Sequence, residues 1–127
     1  MNNFKIAIIS PGYPSEKSGG FGFVHSRAKL YLKENSVKVF TIGGNEVERK
    51  FEGVDIVEGS SGFLYQQITN FKPDVLAIHF PVYSIINLVK KLNYPKVVWI
   101  HGHEIIFSFK ISGKAKNLID YIKKRLF

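Results

Sequence analysis

At 127 residues the chain has room for one domain around one core, and 45% hydrophobic against 22% charged residues excludes a disordered or fibrous chain. The absence of cysteine excludes disulfides, thiolate metal sites and cysteine nucleophiles, and it permits a reducing compartment, so a cytoplasmic location is expected. A net charge of +8 favours anionic partners; RNA-binding aromatic motifs and zinc-finger spacings do not accompany it, and nucleic acid is not expected as a partner.

The first apolar run, Phe4 to Ser10, carries Ile6, Ala7, Ile8 and Ile9 without alternation, as a strand covered on both faces does. Pro11 and Gly12 end it too early for a signal peptide or a membrane span. A helix is predicted from about Gly22 to Glu34, with Val24, Ala28, Tyr31 and Leu32 on one side and Asn35 as a left-handed stop. Val37 to Ile42 and Val54 to Val57 read as the second and third strands. Leu64, Ile68 and Phe71 stand at helical spacing behind a Ser60 or Ser61 cap. Asp74 to Phe80 reads as the fourth strand, and Ile85, Leu88, Val89 and Leu92 form a third helical stripe capped by Ser84. Lys96 to His101 supplies the fifth strand, and a last helix from about Lys114 buries Ala115, Leu118, Ile119, Ile122 and Leu126 behind Ser112. This alternation predicts a single Rossmann-like, three-layer α/β domain over residues 1–127, with a five-stranded all-parallel sheet in the order 3-2-1-4-5.

In such sheets ligands bind beyond the carboxyl ends of the strands. Those ends are polar here: Ser10-Pro11-Gly12-Tyr13-Pro14, Gly43-Gly44-Asn45, His79-Phe80-Pro81 and His101-Gly102-His103-Glu104. Gly19-Gly20-Phe21-Gly22 opens the first helix, where free amides attract phosphate; the same glycines equally serve a plain turn. A dinucleotide fingerprint does not fit, because His25 replaces the third glycine and the second strand ends in Ile42-Gly43 without a ribose-binding acid. His101, His103 and Glu104, with His79 from the neighbouring strand, offer metal-ligand chemistry, and a metal-dependent hydrolase using His79, His101 and His103 is a third reading beside those below. A hydrogen-bonded structural role is the commoner fate of any one histidine.

At these loops the sequence resembles the GT-B glycosyltransferases of the large family 4, through Ile6-Ala7-Ile8-Ile9-Ser10-Pro11-Gly12-Tyr13-Pro14, Ser18-Gly19-Gly20-Phe21-Gly22, Val37-Lys38-Val39-Phe40-Thr41, Pro73-Asp74-Val75-Leu76-Ala77-Ile78-His79 and Val97-Val98-Trp99-Ile100-His101-Gly102. The resemblance implies the acceptor-side, N-terminal half of an enzyme that moves a sugar from a nucleotide-sugar donor to an acceptor hydroxyl, with no resident cofactor or metal. It places Gly19, Gly20, Phe21 and Gly22 at the donor phosphates, His101 beside the reacting sugar as the catalytic residue, and Tyr13, His79 and Glu104 on the acceptor side. In the family the donor is held mainly by a C-terminal domain marked by two glutamates eight positions apart; the glutamates here, at 16, 34, 46, 48, 52, 58 and 104, contain no such pair. A missing donor domain is therefore expected, and these residues alone are expected to be inert. Asn35-Ser36 also stands where the family usually has Gly-His. A non-catalytic binding module with the same fold is the alternative, since fold does not carry function.

The stretch Ile105 to Ile111 is strongly apolar for a loop and leads to Lys114, Lys116, Lys123, Lys124 and Arg125. Over residues 105–125 this suits a peripheral membrane contact or a lipid-linked acceptor, or else packing against a second domain beside a solvated basic face.

Overall fold

A computed structural model describes residues 3–99. The expected end of the fifth strand at His101, the site residues His101, His103 and Glu104, the last helix and the basic face of 105–125 lie outside the described residues. The elements in chain order are β1 (Lys5–Ser10), α1 (Gly22–Leu32), β2 (Ser36–Ile42), β3 (Val47–Phe51), β4 (Val54–Gly59), α2 (Ser61–Phe71), β5 (Val75–His79), α3 (Tyr83–Lys90) and β6 (Lys96–Trp99). They form one sheet in the order β3-β4-β2-β1-β5-β6. Every neighbouring pair is parallel except β3 and β4, which are antiparallel.

The unbroken apolar run of β1 does what its pattern requires. Ile6 and Ile8 pack with Val24 and Ala28 of α1, while Ala7 and Ile9 pack with Leu64 and Ile68 of α2 and Ile85 and Leu88 of α3. The sheet is thus covered on both faces by separate cores, and burying each such aliphatic side chain contributes about 1.5–3 kcal/mol. At the start of α2, Ser60 accepts a hydrogen bond from the Phe63 amide at 3.3 Å. Lys72 closes the helix in the left-handed conformation, just before Pro73.

Three sequence expectations are corrected. The sheet has six strands and is not all parallel, because β3 runs along its edge and connects β2 to β4 as part of a hairpin. Val47-Glu48-Arg49-Lys50-Phe51 places three charges inside the strand, which hides its pattern but suits an edge that must not recruit another strand. Glu52 and Gly53 both have positive φ, 47° and 86°, in a two-residue turn closed by the Phe51–Val54 pair, the handedness that matches the twist of the flanking strands. Asn35 is not a left-handed stop: Lys33 ends α1 in the right-handed region. The Asn35 side chain instead donates to the Tyr31 carbonyl and accepts from the Phe4 amide, both at 3.0 Å. Ser84 lies inside α3, whose N-cap is Val82 and carries no side-chain hydrogen bond.

Candidate functional site at the carboxyl edge

On the α1 side of the sheet the inward positions Ile8, Val39, Ile56 and Ala77 are apolar. Two residues further along each strand, the same face turns polar. Strand register places Glu58 beside Thr41 and Thr41 beside Ser10. His79, one step beyond the Ile9–Ile78 pair, follows Ser10, and Trp99 is the partner of His79. A single row, Glu58–Thr41–Ser10–His79–Trp99, therefore crosses five strands at their carboxyl ends. Ser10, Thr41 and His79 are 0% exposed. Buried hydroxyls are costly unless paired: Thr41 Oγ1 donates to Glu58 Oε1 at 3.3 Å and Ser10 Oγ to the Gly12 carbonyl at 2.8 Å. The His79 ring stacks on Trp99 at 6.0 Å between centroids, and the Arg27 guanidinium lies 4.3 Å over the other aromatic system of that pair, the Trp99 ring.

The chain leaves β1 toward α1 on one face and leaves β5 toward α3 on the other, so the carboxyl ends of β1 and β5 flank the topological switch point. Gly19 and Gly20 lie exposed in the loop after β1, and Gly22 is the first residue of α1. Phe21 is the N-cap at φ 65°, and the helix start has neither a side-chain cap nor an acid in its first turn. The space where a Cβ would stand at Gly19 or Gly22 is open to 4 Å. These amides, at the positive end of the helix dipole, leave room for an anionic group.

Phe21 turns its ring onto Phe80, edge to face at 5.4 Å. Phe80 is also left-handed, at φ 50°, so non-glycine residues in a costly conformation stand on both sides of the switch point. A Cβ at Gly12 would lie 2.6 Å from the Phe21 ring, so a larger residue there would have to displace that ring.

Tyr13, expected on the acceptor side, points into the protein. Its hydroxyl bonds His25 Nδ1, His25 Nε2 bonds Glu52 Oε1 at 3.0 Å, and Lys29 reaches the same carboxylate oxygen at 3.5 Å. The carboxylate fixes the proton of a neutral imidazole on Nε2, so Nδ1 accepts from the tyrosine. Arg49 donates to the carbonyls of Pro14 at 2.8 Å and Tyr13 at 3.1 Å. Burial pushes the Tyr13 phenol far above its ordinary pKa, with nearby Arg49 opposing and Glu52 adding to the rise. The hydrogen bond from His25 holds the Glu52 carboxyl below its ordinary value, against the opposing effect of desolvation and with help from Lys29. The loop after β1 is thus tied to α1 and to the β3–β4 hairpin, which fixes the approach to Gly19 and Gly20.

Of the expected site residues, the structure gathers Gly19, Gly20, Phe21 and Gly22 near one edge and brings His79 into the polar row. Sequence reasoning missed His25, Arg49, Glu52, Ser10, Thr41 and Glu58 in their observed roles. Ser10 left a trace as the polar end of the first strand, and His25 as a polar residue among the buried positions Val24 and Ala28 of α1. Among the described residues no group of three histidine, cysteine, aspartate or glutamate side chains is placed to hold a metal ion. A shallow cavity of about 380 Å³ lies on the opposite face, lined by Ser61, Gly62, Tyr65, Gln66 and Lys91. No helix among the described residues is long and apolar enough to cross a membrane.

The described part of the chain is a mostly parallel, roughly Rossmann-like α/β domain with a polar layer at its switch point. Comparison with models of known protein families gave no match, and comparison with curated proteins gave none either.

Proposed function

We propose that the chain is the acceptor-side half of a GT-B glycosyltransferase, transferring a sugar from a nucleotide-sugar donor to an acceptor hydroxyl. The observation that carries this reading is the uncapped, acid-free start of α1, reached through Gly19 and Gly20 and set beside the switch point of a parallel sheet. Amides so placed stabilise a leaving diphosphate as its charge develops, without a metal, because they are already oriented when the bond breaks. The sequence resemblance supports His101 as the polar contact to the reacting sugar and Glu104 as an acceptor-side residue. His79 shapes the acceptor side from beneath, since it is fully buried.

The test is sugar transfer from radiolabelled nucleotide sugars by these residues joined to a donor domain, compared with the chain alone. Turnover is expected only in the joined protein, and His101→Ala should lower it by more than about tenfold, as loss of a transition-state hydrogen bond does. Near-normal turnover in a folded His101→Ala protein would assign that histidine to structure. Failure of every nucleotide sugar in the joined protein would leave the binding-module reading in its place.

A further inference from the structure

We propose that His25 is a proton-operated latch: neutral, it holds the loop after β1 against α1 and the β3–β4 hairpin, and protonated, it releases the loop while keeping the hairpin. Three separate elements meet at this one imidazole. Nδ1 accepts from the Tyr13 hydroxyl of the loop, and Nε2 donates to Glu52 in the hairpin turn. The Phe51 ring lies 4.9 Å from the imidazole and the Tyr13 ring 5.3 Å, so the junction is walled by aromatic surface. Both His25 and Tyr13 are buried.

The two bonds answer a proton in opposite ways. A neutral imidazole accepts at one nitrogen and donates at the other, whereas an imidazolium donates at both. The bond to Glu52 then becomes charge-assisted and stronger. The Tyr13 hydroxyl loses its acceptor, and among the described residues it has no second hydrogen-bond partner to turn to, a costly position for a buried donor. Charge acts in the same direction. The charged groups gathered around the Tyr13–His25 pair are Lys29 of α1, Arg49 of β3 and Glu52 of the turn. Lys29 shares the Glu52 oxygen at 3.5 Å, and Arg49 is fastened to the Tyr13 and Pro14 carbonyls. An imidazolium adds a third positive charge against one carboxylate and so opposes Arg49, the other tie on the loop. Beyond these ties the loop is exposed from Glu16 to Gly20, and its own backbone hydrogen bonds are those between Ser15 and Ser18. Protonation of His25 therefore frees the approach to Gly19 and Gly20, whether or not sugar is transferred there.

The experiment is trypsin cleavage after Lys17, which lies exposed in the loop, followed in the full chain by peptide mass from about pH 5 to 8, the range in which imidazoles change charge. Each rate is divided by that of a free peptide of residues 12–22, which removes the pH dependence of the protease and leaves the open fraction of the loop. The protonation of His25 is read in the same buffers from its ring resonances by NMR. The ratio should rise by about tenfold or more as His25 gains its proton, the size of a lost buried hydrogen bond. His25→Gln, whose amide donates and accepts at once and does not titrate, should keep the ratio low and flat. Glu52→Gln, on an exposed turn, removes the anion that favours an imidazolium, so the rise should move to lower pH in step with the His25 resonances. A ratio that stays flat while His25 titrates would overturn the latch. So would a rise of equal size in His25→Gln, or, should that variant not fold, a rise that stays in place in Glu52→Gln. No nucleotide sugar is present in any arm, so failure of the transferase assay and failure of this proposal are read separately.

Discussion

Tyr13 is the residue whose surroundings say most about its work. Its hydroxyl is buried and bonded to His25, and its pKa is raised chiefly by burial. A raised folded-state pKa contributes stability that is fully present below the ordinary phenol value of about 10 and is lost as pH rises through the higher folded value. The denaturant midpoint of the wild type is therefore expected to fall on the alkaline side of that value, and the fall should be smaller in Tyr13→Phe. At neutral pH Tyr13→Phe should itself cost about 1–3 kcal/mol by urea denaturation, because it strands a buried imidazole nitrogen. Glu52 has the opposite sign: a lowered folded-state pKa contributes stability present above the ordinary carboxylate value and lost as pH falls through the folded one. Acid titration of stability should be shallower in Glu52→Gln than in the wild type. Neither residue could be joined to His25 from the sequence, since the partners are 12 and 27 positions away and no periodicity links them.

At the scale of elements, loops rather than strands distinguish this sheet. Gly12→Ala should destabilise by about 1–3 kcal/mol, as overpacking does, because the new methyl meets the Phe21 ring. Adding Phe21→Gly should restore most of that loss, and a double-mutant cycle measures the coupling. In the β3–β4 turn, Gly53→Ala should cost about 1 kcal/mol or more, since φ 86° suits glycine alone; amide exchange along β3 should rise with it. Strands and helices with one or two buried faces were legible in advance, because burial writes a period into the residues, as in Leu64 and Ile68 or Ile6 to Ile9. β3 was not, because an edge strand is selected for charge and for its turn. Asn35 and Ser84 had the right composition for caps, but the chain used neighbouring backbone to end α1 and start α3 one or two residues elsewhere.

For the whole molecule, the half-enzyme reading makes a direct prediction. These 127 residues alone should transfer no sugar and bind nucleotide sugars no tighter than about the millimolar range in calorimetry, since a donor clamped by one domain lacks the positioning that makes transfer fast. Micromolar binding would put the donor site in this half. By itself the sequence determined the α/β class, the buried central strands, the glycine start of α1 and the absence of cysteine chemistry, because these follow from residue type, composition and local period. Only the tertiary structure decided the edge hairpin, the Glu58–Thr41–Ser10–His79 row, the Phe21–Phe80 contact and the Tyr13–His25–Glu52 chain. Each of these joins residues from separate elements through strand register or loop course, and a linear chain carries no local signal of which distant side chains the sheet will set side by side.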